Sequence, residues 1–360
     1  FNIFTEQLKE DVKLMEKGES VSLLAKWLKS ENASSSDTRK LAQKTREALN
    51  LSPRQYRKIL SALRKYIDVI EVKMCSGEWS EIDFEKVTSK ASLIYRKAFG
   101  KHDQVRYAAY LASVEKGEAK MNAGAVYPYE IVEKIERAYT EQDIKALNLL
   151  WNSMPNWLEG NEHSGMVIAD TSGSMNGRPL TVAVALAIYF AQRNIGPFKD
   201  TWMNFSNQPT FQRLVGTNLK EFISNMDRNN WDQSTNLQSA FDLILGTAVK
   251  HKVAQSDMPS VLYIVSDMEF NSACYSNSKT NFEVMKHKFE SVGYKLPNVV
   301  WWNVNARNDQ HPIKHDETGT ALVSGCSPSI LKSLLSSKSF DPMSIVMETV
   351  DNPRYDRVVV

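Results

Sequence analysis

Met166-Val167-Ile168-Ala169-Asp170-Thr171-Ser172-Gly173-Ser174 runs four apolar residues straight into a carboxylate and two hydroxyls. A short apolar run bounded by turn residues has the look of a buried parallel strand. Gly173 permits a tight turn, and Pro179–Arg193 then reads as a helix. Val261–Ser266 repeats the pattern and also ends on an acid, Asp267. Thr201–Phe205, Val299–Val304 and Ala321–Ser324 are further strand candidates. Leu219–Met226, Leu237–Val249 and Ser329–Ser336 are helix candidates between them. This alternation predicts a doubly wound parallel sheet, whose ligand site lies at the carboxyl ends of the strands.

Asp170, Ser172 and Ser174 form an Asp-x-Ser-x-Ser pattern on a strand-to-helix turn. Alone it could be an N-cap cluster. Ser234-Thr235-Asn236, before the helix from Leu237, offers a third hydroxyl on a second loop. Asp267 offers a second carboxylate on a third loop. All three loops would share one rim. Hard oxygen donors of low net charge suit an octahedral Mg²⁺ or Mn²⁺ that keeps several waters.

Before residue 160 the texture is helical. Ser34-Ser35-Ser36-Asp37 ends in an N-cap for a helix through Leu49. Ser52-Pro53, with Gln55 completing a capping box, predicts a helix running to about Met74. Further helices are expected at Val87–Phe99, Asp103–Val114, Pro128–Tyr139 and Gln142–Trp151. Such pairs suit a short HEAT-like stack. The expected class is therefore α followed by α/β: a helical-repeat module over 1–160, a doubly wound domain over 161–340 and an extension over 341–360.

Net charge is +2 over 360 residues, but its distribution is uneven. Arg39 to Lys101 holds 15 Lys/Arg against 7 Asp/Glu, a local excess of +8, which leaves −6 for the remainder. On the helix from Pro53, Tyr56, Ile59, Leu60, Leu63, Tyr66, Ile67 and Ile70 share an arc of about 120°. Arg54, Arg57, Lys58, Arg64 and Lys65 lie nearly opposite. That face is either simply solvated or a phosphate-tracking stripe. Lys101, His102 and Arg106 at the next helix start, and Lys120 beside a helix break, pose the same choice.

The longest apolar run, Val182–Ala191, is half the roughly 20 residues that a membrane span needs. Cys75, Cys274 and Cys326 are odd in number and lack ligand spacing, which points to a reducing, cytoplasmic setting. Walker, Gly-x-Gly-x-x-Gly and Gly-x-Ser-x-Gly motifs are missing, and His311 and His315 straddle Pro312 without helix-borne carboxylates. An enzyme is not expected.

Asp170/Ser172/Ser174, Thr235 and Asp267, in that order, resemble the metal-ion-dependent adhesion site of von Willebrand factor A domains. The resemblance implies direct metal ligation by the serines, with Thr235 and the acids binding directly or through water. It leaves one position for a partner's carboxylate. Met268 stands where the family often has Gly, which implies a differently shaped loop. Leu51-Ser52-Pro53-Arg54-Gln55-Tyr56-Arg57-Lys58, Lys101-His102-Asp103-Gln104-Val105-Arg106 and Gly117-Glu118-Ala119-Lys120-Met121-Asn122 with Tyr127-Pro128 lie ahead of that domain. With Trp301-Trp302-Asn303-Val304-Asn305 and Val323-Ser324-Gly325-Cys326-Ser327, they resemble the Ro-like TROVE–von Willebrand factor A family, in its plant, bacterial and large-DNA-virus branch. That resemblance implies binding of structured or noncoding RNA on the basic helical surface. The alternative is a metal-dependent protein-interaction module, such as an assembly or virion component, without RNA.

Overall fold

A computed structural model describes residues 2–159, 164–204, 208–226, 236–268, 281–305 and 319–327, with isolated positions near 350. Among the described residues nine α-helices precede the first strand: α1 (Asn2–Glu16), α2 (Leu24–Trp27), α3 (Ser36–Ala48), α4 (Pro53–Tyr66), α5 (Ile70–Ser76), α6 (Ser89–His102), α7 (Gln104–Lys116), α8 (Pro128–Ile135) and α9 (Glu141–Asn152). Then follow β1 (Gly165–Ala169), α10 (Arg178–Arg193), β2 (Thr201–Asn204), β3 (Phe211–Arg213), α11 (Leu219–Ser224), α12 (Leu237–His251), β4 (Val261–Ser266), α13 (Asn281–Ser291), β5 (Asn298–Asn303) and β6 (Thr320–Ser324). A helical region followed by a mostly parallel six-stranded sheet is the expected class.

Packing divides the chain into two units, one of Phe1–Val87 with Lys101–Tyr107, the other of Thr88–Gly100 with Ala108–Val360. In the first, Leu8, Ala25, Leu28, Leu49, Tyr56, Leu60 and Leu63 make the core. The Ser52/Gln55 capping box forms as expected, with Gln55 N–H donating to Ser52 Oγ at 3.3 Å and Ser52 N–H to Gln55 Oε1 at 2.9 Å. The helix does not reach Met74. It ends at Tyr66 because Asp68 turns left-handed (φ 55°), and the short α5 begins after that break. Tyr66, placed by the helical wheel on the buried side, is exposed instead and donates its hydroxyl to Glu19 O at 2.8 Å. Buried Asp11 accepts from Ser22 N–H (2.9 Å) and Ser22 Oγ (2.6 Å), which fixes the entry to α2.

In the second unit the strand order is β3-β2-β1-β4-β5-β6, parallel except for the β2–β3 edge pair. From β1 the chain goes to β2 on one side and later to β4 on the other. The topological switch therefore falls between β1 and β4. Strand alternation divides the core. Met166, Ile168, Leu262, Ile264 and Trp301 face α12 and α13. On the other face Phe190 of α10 packs on Tyr263 and Trp302, with ring centroids 5.0 and 5.6 Å apart. Val182–Ala191, the long apolar run, is buried throughout. Among the described residues no helix is long and apolar enough to cross a membrane.

The edge strand β3 and helix α13 were not anticipated from sequence. The expected helix Ser329–Ser336 and the expected strand end at Phe205 lie outside the described residues.

Helices α8 and α9 belong to the same packed unit as the sheet. Trp151 Nε1 donates to Gln192 Oε1 (2.7 Å), Tyr189 Oη donates to Pro155 O (2.6 Å), and Arg193 donates to Trp151 O (2.9 Å). The Arg193 guanidinium also sits 4.1 Å from the Tyr189 ring centroid. Deeper in the helices, the buried Arg96 pairs with the buried Asp143 at 2.6 Å. Replacing Asp143 with Ala would strand that guanidinium in the interior. Asp143→Ala should therefore cost about 3–5 kcal/mol in urea unfolding, the usual penalty for breaking a buried pair from one side.

Candidate functional site

The β1–β4 switch point carries the oxygen cluster. Asp170 follows β1 and is fully buried, its N–H donating to Val265 O at 2.8 Å as the ladder ends. One carboxylate oxygen accepts Ser172 N–H at 2.9 Å and the other accepts Ser266 Oγ at 2.6 Å. The Oγ atoms of Ser172 and Ser174 lie 3.1 Å apart in the turn that leads to α10. Asp267, just past β4, is 3% exposed, and its charge reaches Asp170. The structure thus brings together Asp170, Ser172, Ser174 and Asp267. Thr235 lies outside the described residues, next to Asn236, whose side chain caps α12 by accepting Ser239 N–H at 3.1 Å.

Burial pushes the Asp170 carboxyl up to about 6 against the pull of its hydrogen bonds, and Asp267 adds to the rise. Two buried acids beside two hydroxyls form an all-oxygen donor set that a hard divalent cation fits, because the ion would relieve their mutual repulsion. No cluster of three or more His, Cys, Asp or Glu suited to a metal occurs among the described residues, so softer ions have no comparable site there.

Met268 is the last described residue of its loop. Its φ is 66°, the left-handed region that favours glycine. The strain of about 1–2 kcal/mol is offset by burial of its side chain against the α12–α13 face. Met268 N–H donates to Ser266 Oγ at 3.0 Å, which aims that hydroxyl's own proton at Asp170.

The cationic residues divide into two groups. Arg54, Arg57, Lys58 and Lys65 are exposed on α4. Arg64 leaves that face: it donates to Ala25 O (2.9 Å), Leu28 O (2.6 Å) and Ser30 Oγ (2.7 Å). Arg106 likewise holds the carbonyls of Ser80 (2.7 Å) and Ile82 (2.8 Å) and the Asp103 carboxylate (2.7 Å). His102 is stacked on Trp79 with ring centroids 4.3 Å apart, so its faces are partly spent. Lys101 and Lys120 are exposed, in the first and the second unit respectively. Sequence reading passed over Trp27, which is exposed on α2 between Lys26 and Lys29. The acid-free run around it was the available signal.

The chain belongs to the family described as Domain of unknown function (DUF7788), whose profile matches residues 164–357. The profile of Domain of unknown function (DUF2828) matches residues 28–161. Uncharacterized protein L728 of Acanthamoeba polyphaga mimivirus is 30% identical over 372 residues, covering 97% of this chain. The chain spans 64% of that relative's length. Among solved structures the chain is similar to the RO (RSR) protein of Deinococcus radiodurans, at 12% identity, with 87% of this chain and 73% of that chain covered and a TM-score of 0.42.

The raised Asp170 carboxyl sets a pH dependence for the metal-free chain. An acid whose folded value lies above its ordinary 3.8 favours the fold while protonated. Its stabilisation is complete below about pH 4 and is lost as the pH rises to about 6. With a chelator present, melting temperatures across that window should show a declining component, and Asp170→Asn should flatten it.

Proposed function

We propose that this chain is an RNA-binding protein of Ro-like architecture that binds structured or noncoding RNA through the basic face of α4 and carries a divalent-metal site in its α/β domain. In this reading residues 1–160 form the RNA-facing module, 161–340 the metal-bearing domain and 341–360 an extension. One observation carries it. Arg54, Arg57, Lys58 and Lys65 stand exposed on one helix, and no acid occurs from Ala48 to Ile67. A row of cations without carboxylates costs self-repulsion that a phosphate backbone would relieve. Such contacts give affinity and register rather than base specificity.

The metal would be Mg²⁺ or Mn²⁺, held by Ser172, Ser174, Asp170 and Asp267, with Thr235 supplied from the loop before α12. When bound it would supply a Lewis-acidic position open to a partner's carboxylate. That favours a second reading, a metal-dependent protein-interaction module, whose supporting observation is the buried acid pair at the switch point.

The two readings separate in a salt series. Full-length protein should bind structured RNA with an affinity that falls steeply as salt rises. Changing Arg54, Arg57, Lys58 and Lys65 together to Glu should lower that affinity by orders of magnitude and reduce the log–log salt slope by about 3–4. Stability should move by no more than about 0.5 kcal/mol for each exposed position. Arg64 is left intact because it braces α2. Unchanged affinity in the quadruple variant would remove α4 from the interface, and weak, non-saturating retention of RNA by the wild type would favour the interaction module. For the metal, Mg²⁺ or Mn²⁺ should raise the melting temperature of the wild type by linkage. An equal rise in the Ser172→Ala/Ser174→Ala variant would refute the site.

A further inference from the structure

Trp27 is 68% exposed, an unusual position for the largest apolar side chain. It stands on α2, a four-residue helix with too few hydrogen bonds to hold itself. The surrounding unit holds it instead. Asp11 clamps Ser22 ahead of the helix, through the Ser22 N–H and Oγ described above. Behind it, Arg64 grips the carbonyls of Ala25 and Leu28, and Tyr56 Oη donates to Lys29 O at 2.8 Å. Ala25 and Leu28 turn inward to the core, and Leu23 and Trp27, one turn apart, stay outside. A braced backbone thus presents an indole to solvent.

The electrostatic setting defines what could cover it. Residues 20–30 carry Lys26 and Lys29 and no acid. The α4 helix against which they pack adds Arg54, Arg57, Lys58, Arg64 and Lys65, again with no acid. Among the described residues, no ion pair forms to Lys26, Lys29, Arg54, Arg57, Lys58 or Lys65. Glu19 and Glu31 flank this segment, Glu31 is spent on Arg46 and Asp11 is buried beneath Ser22. An exposed indole among cations that outnumber the free acids is complementary to a polyanion that also carries flat rings. Single-stranded nucleic acid has both, because unpaired bases can leave the stack and lie on an aromatic face. A duplex keeps its bases inside and offers only phosphates.

We infer that Trp27 is a base-stacking platform for an unpaired stretch of RNA, with Lys26 and Lys29 holding the adjoining phosphates. This rests on the RNA reading above and adds to it: the α2 surface selects single-stranded segments, and the α4 face contributes affinity without regard to pairing. The stacked base would be read by its ring face, so the site would tolerate any sequence.

The test uses the full chain and two labelled RNAs of equal length: an unpaired oligoadenylate of roughly 12 nucleotides, within the range of single-strand site sizes, and a hairpin with most bases paired. Anisotropy titrations compare the wild type, Trp27→Ala and Trp27→Phe. Trp27→Ala should weaken oligoadenylate binding roughly 10- to 100-fold and leave hairpin binding within about twofold, and Trp27→Phe should recover most of the loss. Oligoadenylate should also quench wild-type tryptophan fluorescence more than that of Trp27→Phe. If Trp27→Ala binds oligoadenylate as the wild type does, the stacking site is wrong and the α4 face remains. Equal loss on both RNAs would also overturn it, because a stacking residue must separate them. If the wild type binds neither RNA, the stacking site and the RNA reading fall together.

Discussion

Ten consecutive residues of α10, Val182 to Ala191, have no side that faces water. A helix apolar on every face must be covered on every face. The sheet covers one side through Phe190 on Tyr263 and Trp302. The other side meets the end of α9 and the segment after it, where Trp151, Pro155 and Trp157 bond to Gln192 and Tyr189. Those bonds satisfy polar atoms that the burial would otherwise orphan. Removing the helical cover would expose the apolar back of α10, so the last helices before β1 complete the α/β core.

The same constraint positions the oxygen cluster. The loop Asp170–Gly177 spans only the gap between the buried β1 and the buried α10, so neither anchor can shift to accommodate it. Gly177, at φ 89°, makes the final turn into the helix. Within that short loop Asp170 accepts two hydrogen bonds, and Ser172 and Ser174 are left facing each other. Burying one carboxylate beside another costs free energy that is recovered only by protonation or by a cation. A site of this kind gives up stability in the metal-free state, and a strongly packed helix and sheet on either side can carry that cost.

What was legible in the sequence was whatever local chemistry decides. The Ser52/Gln55 capping box, the strand–acid junctions at Asp170 and Asp267 and the buried run of α10 each depend on residues within one turn or one strand. The breaks were harder. Asp68 takes a left-handed conformation that no Gly or Pro announces, so α4 stops about one turn before its apolar period does. The three-residue edge strand β3 is too short to show alternation, and it exists because β2 offers it a register. Met268 stands in the left-handed region without being Gly, held by the Ser266 hydroxyl and by the core beneath its side chain. In each case a tertiary partner decided the outcome.

Charge was the least legible quantity, because a sequence counts cations without showing which are already engaged. Arginine is the residue that misleads. Its planar fork of five donors can hold several carbonyls at once, which the single ammonium of lysine does less well. Wherever a short helix ends near an arginine, its orphaned carbonyls compete with any ligand for that guanidinium. Arg64 meets the carbonyls of α2 and is drawn into the fold, and Arg106 meets those after Trp79 while its side chain stays 44% exposed. Arg54 and Arg57 sit on the first turns of α4, where N–H groups rather than carbonyls are left over, and they remain exposed. The cations available to an anion are therefore set by where the helices end. That is why the exposed row on α4 lies toward solvent while Arg64, two turns along the same helix from Arg57, serves to hold α2 and its outward tryptophan in place.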